Sequence, residues 1–361
     1  MKAVGYAADH AGAPLGHFEF ERREQGVHDV TLEVLYCGVC HSDIHYVNND
    51  WGRSNYPVVP GHEIVGRVLS VGDKVTRFSP GDTVGVGCFV DSCRHCFSCD
   101  EGEEQFCAEG PTMTYGGFER ESQRPTFGGY STNYVVDEKY TLKISDQADL
   151  AATAPLLCAG ITTWSPLKRY QVGPGQLVGV MGLGGLGHIG VKFAKAFGAE
   201  VVMFTTSTAK TEDAKKLGAD HVVLSSDRET MKAWTNRLDF LLDTVSAPHD
   251  LNINLRLLKR DGVCCLVGLP DKPLSFSPFM TAGRKNITGS MMGGIEETQE
   301  MLDFCAEHGI GCDVELIDIQ SINTAYKRVL KSDVKYRFVI DMASFNSDNS
   351  AWKQSLPQSQ G

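Results

Sequence analysis

The chain has 361 residues, of which 42% are hydrophobic and 22% charged, a size and balance that predict a globular protein of two domains. The net charge of -11, with no compensating basic run, argues against a nucleic-acid surface. No stretch approaches the roughly 18 uninterrupted apolar residues that span a bilayer, and the N-terminus lacks the apolar core of a signal peptide. The twelve cysteines are interpreted as metal ligands and buried thiols, not as a disulfide framework. The expected location is the cytoplasm.

Two hydrophobic patterns divide the chain. Residues 1–153 place short valine- and aromatic-rich runs such as VTLEVLYCGV and EIVGRVLSVG between Gly, Pro and Asp turns, which predicts an antiparallel β-rich domain. Residues 154–289 alternate strand-like runs such as LVGVMGL, AEVVMFTT and DFLLDTV with helical segments, which predicts a doubly wound parallel sheet of the α/β class. Residues 290–342 contain two predicted helices and the strand-like YRFVID. The polar tail, residues 343–361, is expected to be disordered.

Four residues with metal-ligating side chains are dispersed along the chain. Cys40 lies in CGVCHSD, His62 and Glu63 lie in PGHEIVG, and Cys158 lies in PLLCAG. Two cysteines and a histidine with an open fourth position form one of the known catalytic zinc shells. Spacing alone does not bring these residues together. Taken singly, Cys158 is more typical of a buried small hydrophobe and His62 of a polar turn.

Four cysteines close together form a second metal-ligating pattern. Cys93, Cys96, Cys99 and Cys107 have the spacing C-x2-C-x2-C-x7-C. Four thiolates can surround one zinc ion tetrahedrally and leave no open position, which indicates a structural zinc site. An iron–sulfur cluster is the alternative, because short cysteine spacings also serve such clusters, but zinc is favoured.

A glycine-rich turn follows the strand-like run VGVM. Gly182, Gly184 and Gly187 fit G-x-G-x-x-G, which lets the backbone approach a pyrophosphate and points a helix N-terminus at it. The alternative is an ordinary strand-to-helix turn. The apolar run before the glycines and the helical spacing of Ile189 and Phe193 after them favour a dinucleotide site. The residues assigned to this turn are Gly182, Leu183, Gly184, Gly185, Leu186 and Gly187.

The end of the next strand indicates which dinucleotide binds. Sites selective for NAD carry an acidic residue roughly 20 residues after the glycines, which binds the ribose 2′-hydroxyl. Here AEVVMF is followed by Thr205, Thr206, Ser207 and then Lys210, with no acidic residue at the strand end. Hydroxyls and an ammonium group can bind a 2′-phosphate that a carboxylate would repel, so NADP(H) is favoured.

Several motifs together resemble one enzyme family. Residues 61–75 read G-H-E-x2-G-x5-G-x2-V, which is similar to the zinc signature of the medium-chain dehydrogenases/reductases, and the cysteine loop and glycine turn follow in that family's order. Within the family, GVCHSDIH, VPGHEIVG, LLCAGIT and GLGGLGH resemble the cinnamyl alcohol dehydrogenase branch, particularly its bacterial NADP-dependent aldehyde reductases. The resemblance runs to about residue 341. It implies a GroES-like catalytic domain, a Rossmann domain, a return of residues 290–342 to the catalytic domain, NADP(H) and two Zn²⁺ per chain.

The resemblance also implies roles for the metal-ligating residues. Cys40, His62 and Cys158 match the catalytic zinc ligands. Glu63 matches a carboxylate that can transiently approach the metal. Asp43 matches a carboxylate that orients the zinc-bound histidine, with a surface acid in a turn as the alternative.

Proton transfer and cofactor contacts are implied in the same way. Ser42 matches the hydroxyl that binds the substrate oxygen and passes a proton to the cofactor ribose. His45 is the next group of this relay, or else an exposed loop histidine. Four further residues match positions near the nicotinamide: Thr244, Val267, Gly268 and Ser290. Arg337 is expected to contact the pyrophosphate, with a plain surface arginine as the alternative.

The implied reaction is a reversible hydride transfer between NADPH and aldehydes or primary alcohols. Candidate residues for an apolar substrate pocket, each equally typical of a core, are Trp51, Tyr115, Trp164, Met291 and Met292. These side chains favour broad reduction of aliphatic and aromatic aldehydes. A reductase of activated C=C or iminium groups and a non-catalytic NADPH-binding protein are the alternatives, and the complete ligand and relay set argues against both. By resemblance we also expect a homodimer.

Overall fold

The computed structural model describes residues 1–270 and 272–347. These residues form two compact units, one of Met1–Cys158 with the segment that begins at Gly293, and one of Ala159–Met292. Both borders lie a few residues beyond the expected positions 153 and 289. Residues 343–347, which we expected in a disordered tail, lie in a short 3-10 helix, Met342–Ser347, where Phe345 packs edge-on against the ring of Tyr6. The rest of that tail, residues 348–361, lies outside the described residues.

The first unit is built mainly from antiparallel strands, as its pattern of short alternating runs predicts. Its first nine strands are β1 (Lys2–Ala7), β2 (Gly16–Glu21), β3 (Asp29–Gly38), β4 (Ile64–Val71), β5 (Thr83–Val86), β6 (Phe89–Asp91), β7 (Thr112–Met113), β8 (Asn133–Asp137) and β9 (Leu142–Lys143). Its first three helices are α1 (His41–Asn48), α2 (Phe97–Asp100) and α3 (Leu150–Thr153). Strand β3 pairs antiparallel with both β4 and β8, which makes it the central strand of the unit.

The second unit is a six-stranded parallel sheet with intervening helices. Its strands are β10 (Leu177–Met181), β11 (Glu200–Thr205), β12 (His221–Leu224), β13 (Leu238–Asp243), β14 (Leu258–Leu266) and β15 (Asn286–Gly289). Its helices are α4 (Ala159–Arg169), α5 (Gly187–Ala196), α6 (Thr211–Lys216), α7 (Arg228–Lys232) and α8 (Leu251–Leu257). The spatial order β12-β11-β10-β13-β14-β15 reverses direction between β10 and β13. This is the Rossmann arrangement, in which a dinucleotide binds at the carboxyl ends of the strands beside the reversal. The predicted α/β fold is therefore confirmed.

The C-terminal segment returns to the first unit. Its elements are α9 (Ile295–His308), β16 (Val314–Asp318), α10 (Ile322–Leu330) and β17 (Arg337–Asp341). Strand β17 pairs antiparallel with β3, which completes the sheet order β16-β17-β3-β4-β5-β9. The first residue of β17 is thereby brought beside the loops that follow β3 and precede β4.

The helices of the second unit bury apolar faces against its sheet. In α5, for example, Ile189, Val191 and Phe193 are fully buried, as the helical spacing of apolar residues predicts. Across the described residues no single helix has the length and apolarity of a membrane span. Two consecutive helical segments with a bend between them, Leu150–Leu157 and Ala159–Arg169, are together long and apolar enough, judged by length and composition alone.

Candidate active site

Helix α1 positions the first predicted ligand. The backbone of Cys40 is extended, and the helix begins at the following residue. The carboxylate of Asp43, in the first turn, accepts a hydrogen bond from the Cys40 N–H with a distance of 2.9 Å from Oδ2 to N. This contact satisfies one of the free N–H groups at the helix start. Cys40 is therefore fixed at the N-terminus of α1, with its side chain buried.

Four of the predicted residues meet in one buried cluster of the first unit. One ligand atom from each of Cys40, His62, Glu63 and Cys158 lies within 4.8 Å of the others, and all four residues are buried. The Sγ atoms of Cys40 and Cys158 are 3.9 Å apart. Two zinc–sulfur bonds of about 2.3 Å at a tetrahedral angle need a separation of about 3.8 Å. The donor set and its spacing therefore fit zinc.

Asp43 holds the histidine of this cluster. Its Oδ1 lies 3.1 Å from His62 Nδ1, which leaves Nε2 of the imidazole as the nitrogen available to a metal. Asp43 is fully buried, so the alternative of a surface acid in a turn is wrong. The hydroxyl of Tyr130, a residue that no sequence motif marks, also donates to Asp43, with a distance of 3.0 Å to Oδ2.

Glu63 forms a buried ion pair with Arg337, the first residue of β17. Glu63 is fully buried and Arg337 is 6% exposed. Burial raises the pKa of Glu63 to about 8, and the guanidinium of Arg337 opposes that shift. The alternative of a plain surface arginine is therefore wrong for Arg337. Its expected contact with the pyrophosphate stays a prediction, and sequence reasoning missed its pairing with Glu63 because the two residues are distant in the chain.

The four cysteines of the loop after β6 form a second donor set. The Sγ atoms of Cys93, Cys96, Cys99 and Cys107 lie within 4.8 Å of one another. Backbone N–H groups support the sulfur atoms, since Cys93 donates to Cys107 Sγ at 3.3 Å and Ala108 donates to Cys96 Sγ at 3.4 Å. Four sulfur ligands close the coordination shell, so this loop fits a structural zinc ion.

The predicted glycine turn joins β10 to α5. Gly182 has a φ of +93°, and a Cβ at Gly187 would lie 1.9 Å from the carbonyl oxygen of Gly182, so both positions need glycine. A Cβ at Gly184 would have no atom within 4 Å, which leaves the backbone there open to a ligand. The hydroxyl of Thr244 donates to the carbonyl oxygens of Met181 and Gly182 at 2.8 and 2.9 Å and fixes the turn. The turn and the N-terminus of α5 therefore fit a pyrophosphate.

Comparison with known proteins decides the family. The alcohol dehydrogenase GroES-like domain model matches residues 26–146, and the zinc-binding dehydrogenase model matches residues 185–307. Aldehyde reductase YahK of Escherichia coli is 56% identical over 346 residues, which are 94% of this chain and 98% of that protein. The chain belongs to the zinc-dependent medium-chain dehydrogenase/reductase family.

Solved structures place it in one branch of that family. A cinnamyl alcohol dehydrogenase from Sorghum bicolor superposes with a TM-score of 0.93 at 45% identity, covering 95% of this chain and 98% of that one. A cinnamyl alcohol dehydrogenase from Helicobacter pylori, complexed with NADP(H), gives 0.91 at 42% identity, with 95% and 99% covered. The predicted family and its cinnamyl alcohol dehydrogenase branch are thus confirmed.

The residues expected to select NADP(H) in this dehydrogenase lie at the carboxyl end of β11. Thr206 is exposed, and Ser207 and Lys210 are half-buried. Thr205 is buried, and its hydroxyl accepts from the Ser207 N–H at 3.2 Å. Lys210 Nζ donates to the carbonyl oxygen of Leu183 at 2.8 Å, which ties this loop to the glycine turn. Thr206, Ser207 and Lys210 are therefore accessible to a phosphate, as their predicted role requires. Thr205 is buried and supports this loop by accepting the hydrogen bond from the Ser207 N–H.

The remaining predicted cofactor residues of the second unit follow the two strands that lie beyond β13 in the sheet. Val267 and Gly268 follow β14, and Ser290 follows β15. A Cβ at Gly268 would lie 2.3 Å from the carbonyl oxygen of Val245, so the backbone segments here approach closely. All three residues thus lie at the carboxyl edge of the sheet, where this fold binds dinucleotides.

The proposed proton relay lies on α1. Ser42 and His45 are three residues apart, so they share one face of the helix. His45 Nδ1 lies 2.7 Å from Asp50 Oδ2, and its buried Nε2 has no hydrogen-bond partner within residues 1–270 and 272–347. His41, which sequence reasoning did not single out, stacks on His45 with 4.8 Å between ring centroids. His41 and His45 are four residues apart, so the i,i+4 spacing of a helix is the sequence signal that could have indicated this contact.

One predicted pocket residue borders the buried metal-ligating cluster, and another contacts the predicted proton relay. Tyr115 is buried, with its ring centroid 5.7 Å from that of His62. The ring of Trp51 lies 5.2 Å from His45. Both aromatic rings of the first unit therefore contact residues of the predicted site, as a substrate pocket requires.

The other pocket residues belong to the second unit. Trp164, in α4, is 3% exposed and packs edge-on against Phe193 and Phe197, with 5.3 and 4.9 Å between ring centroids. These contacts make Trp164 a core residue, so its assignment to the pocket is not supported by its packing. Met291 is 45% exposed, whereas Met292 is buried. Met291 thus remains the pocket candidate of this unit.

Proposed function

We propose that this NADP-dependent alcohol dehydrogenase is a broad-specificity reductase of aliphatic and aromatic aldehydes, acting reversibly on primary alcohols. The observation that carries the proposal is the buried cluster of Cys40, His62 and Cys158, with Asp43 bonded to the histidine. This donor set leaves a position for a substrate oxygen, unlike the four-cysteine loop. The similarity to an aldehyde reductase supports the choice of aldehydes.

In this proposal Cys40, His62 and Cys158 hold the catalytic zinc. Zinc bound in such a shell acts as a Lewis acid that polarises a carbonyl group. Asp43 keeps the His62 ring oriented through Nδ1, and Glu63 remains paired with Arg337 at the edge of the cluster. The protein thereby fixes the ligand geometry before substrate arrives.

Ser42 and His45 handle the proton. In aldehyde reduction the Ser42 hydroxyl donates a proton to the developing alkoxide, and it accepts one in alcohol oxidation. His45 returns a proton to Ser42 through its buried Nε2, while Asp50 hydrogen-bonds to Nδ1 on the exposed side of the ring. Trp51, which lies against His45, limits the water that reaches this path.

The second unit holds the cofactor. NADPH supplies the hydride when bound. The turn from Gly182 to Gly187 binds its pyrophosphate, and Thr206, Ser207 and Lys210 bind its 2′-phosphate. The absence of an acidic side chain at the end of β11 is the feature that supports NADPH over NADH.

The proposed assembly is a homodimer joined through the second unit. Strand β15 ends the parallel sheet, so one of its edges has no partner strand among residues 1–270 and 272–347. In the segment between β14 and β15, Phe279 is 85% exposed and Leu269 is 52% exposed. A second copy pairing along β15 would cover both the free edge and these apolar side chains. Light scattering coupled to gel filtration measures the mass directly.

An aldehyde panel scored by NADPH consumption, with zinc measured on the same sample, tests the function. We expect turnover of benzaldehyde and aliphatic aldehydes and two zinc ions per chain. Cys40→Ala should abolish turnover and leave NADPH binding measurable, since the glycine turn lies in the other unit. Cys264→Ala, a fully buried cysteine of β14, is the matched control. Full activity of zinc-depleted Cys40→Ala protein, or turnover of enones or iminium compounds but not aldehydes, would refute the proposal.

A further inference from the structure

Asp43 collects four hydrogen bonds in the interior of the first unit. Its Oδ1 accepts from His62 Nδ1 at 3.1 Å and from the Gly61 N–H at 3.2 Å. Its Oδ2 accepts from the Cys40 N–H at 2.9 Å and from the Tyr130 hydroxyl at 3.0 Å. Asp43 and Tyr130 are both fully buried. Three of these donors belong to the ligand residues or their neighbours, and Tyr130 is the fourth, from a different part of the chain.

The main chain holds Tyr130 in register with the segment that carries His62. The N–H groups of Gly128, Gly129 and Tyr130 donate to the carbonyl oxygens of Val59, Gly61 and Pro60, at 2.7, 2.8 and 3.0 Å respectively. A Cβ at Gly128 would lie 2.3 Å from the Pro60 oxygen, so the two segments approach as closely as glycine allows. The position of the Tyr130 hydroxyl is therefore fixed relative to His62.

We propose that Tyr130 is a positioning residue of the catalytic metal site, whose hydroxyl fixes the Asp43 carboxylate and through it the imidazole of His62. The inference rests on the proposed assignment of the catalytic zinc to Cys40, His62 and Cys158. A carboxylate bonded at both oxygens keeps one rotamer, so Oδ1 stays aligned with Nδ1 of the histidine. Without the hydroxyl, Oδ2 keeps only the Cys40 N–H as its partner, so the carboxylate loses one of the four hydrogen bonds that hold it and its rotation about the Cβ–Cγ bond is less restricted.

A nearby tyrosine distinguishes this role from ordinary satisfaction of a buried hydroxyl. Tyr134 is also buried, and its hydroxyl donates to the carbonyl oxygen of Thr114 at 2.7 Å. Both tyrosines lose one hydrogen bond when replaced by phenylalanine, with the same change in volume. Of these two tyrosines, Tyr130 donates to the carboxylate that contacts His62 and Tyr134 does not, so of the two variants Tyr130→Phe alone should change the metal site.

The experiment compares zinc-loaded Tyr130→Phe and Tyr134→Phe with the wild-type chain. The readouts are the rate of zinc transfer to a chromophoric chelator and the visible spectrum after Co²⁺ substitution. Loss of a hydrogen-bond partner behind a metal ligand costs about 10- to 100-fold in metal affinity. We expect Tyr130→Phe at the lower end, with about 10-fold faster release of one of two zinc ions and a shifted d–d band. Tyr134→Phe should match wild type in both readouts.

A double-mutant cycle separates positioning from stability. In an Asp43→Ala background the side chain that accepts from Tyr130 is gone, so adding Tyr130→Phe should not accelerate zinc release further. The inference is overturned if Tyr130→Phe releases zinc at the wild-type rate, or if it lowers the melting temperature while zinc release from the folded protein and the cobalt spectrum stay unchanged. If Cys40→Ala instead retains both zinc ions, the site assignment itself has failed, which is a separate result.

Discussion

Replacing Arg22 with methionine should destabilise the first unit, because this buried guanidinium ties one loop together. Its Nε donates to the carbonyl oxygen of Asn133 at 2.6 Å, and Nη1 donates to that of Phe127 at 2.8 Å. Its Nη2 donates to the carbonyl oxygen of Gly128 at 3.0 Å and to Ser131 Oγ at 2.7 Å. The loop so held is the one whose backbone pairs with the segment before the histidine ligand.

The size of the effect follows from two opposing terms. Four hydrogen bonds from a charged donor stabilise the fold by about 1.5 kcal/mol each at the low end of their range. Burial lowers the pKa of Arg22 to about 10, and this shift corresponds to roughly 3 kcal/mol of desolvation that the variant no longer suffers. The net loss is about 3 kcal/mol. For a domain of roughly 200 residues, that predicts a fall of about 6–12 °C in the melting temperature.

Thermal unfolding followed by circular dichroism measures this shift. Arg77→Met is the control, since Arg77 is exposed yet also donates to a carbonyl oxygen, that of Glu138 at 3.0 Å, and lies over the ring of Phe78. An exposed arginine of this kind contributes within about 0.5 kcal/mol. If Arg22→Met melts no lower than Arg77→Met, the reasoning from buried hydrogen bonds is refuted.

Four further predictions concern cofactor, metal, assembly and pH. Ser207→Asp should raise the Michaelis constant for NADPH far more than that for NADH, and equal effects in steady-state kinetics would place the phosphate elsewhere. Cys96→Ser should lose one zinc by elemental analysis and lower the melting temperature, since a structural zinc contributes directly to folding. Phe279→Asp should halve the mass seen by light scattering if that side chain lies in the dimer interface. Asp243 accepts a hydrogen bond from His249 Nε2 and thereby raises the pKa of His249, so this pair stabilises the fold at low pH and less as pH rises through the folded value. His249→Gln should therefore cost more melting temperature at about pH 5.5 than at about pH 8.5.

Local sequence patterns were enough to predict the cysteine loop, the glycine turn and the parallel sheet. The cysteine loop places all its ligands within one short segment, so its spacing alone predicts the donor set seen at Cys93–Cys107. The glycine turn is equally local, because it lies within a single strand–helix junction. That junction requires a positive φ at Gly182 and close backbone approach at Gly187. The alternation of strand-like and helical runs likewise predicts the parallel sheet, since each βα unit is built from adjacent residues.

The catalytic cluster could not be predicted from spacing. Cys40 and Cys158 are 118 residues apart, so only the resemblance to a family joined them before the structure placed their sulfur atoms together. The pairing of Glu63 with Arg337 spans 274 residues and depends on β17 returning to β3. The pocket assignment of Trp164 is wrong for a related reason. The residue type of an aromatic side chain does not tell whether it lines a pocket or packs in the core, as Trp164 does.

A dication balances the two thiolates of the cluster, whereas buried Asp43 keeps one negative charge that hydrogen bonds stabilise. Arg337 neutralises Glu63, but Asp43 is fully buried as well. The hydrogen bond between the two sulfur atoms lowers the pKa of Cys40 and raises that of Cys158, so the thiols share a proton unless a metal replaces it. Two thiolates add two negative charges, which Zn²⁺ balances, and isolated buried charges cost several kcal/mol each. The binding energy of the ion is therefore part of the folding energy of this unit, and a substitution that loosens Asp43 acts on both through the same contacts. Comparing melting curves of zinc-loaded and zinc-free protein is what separates the two effects.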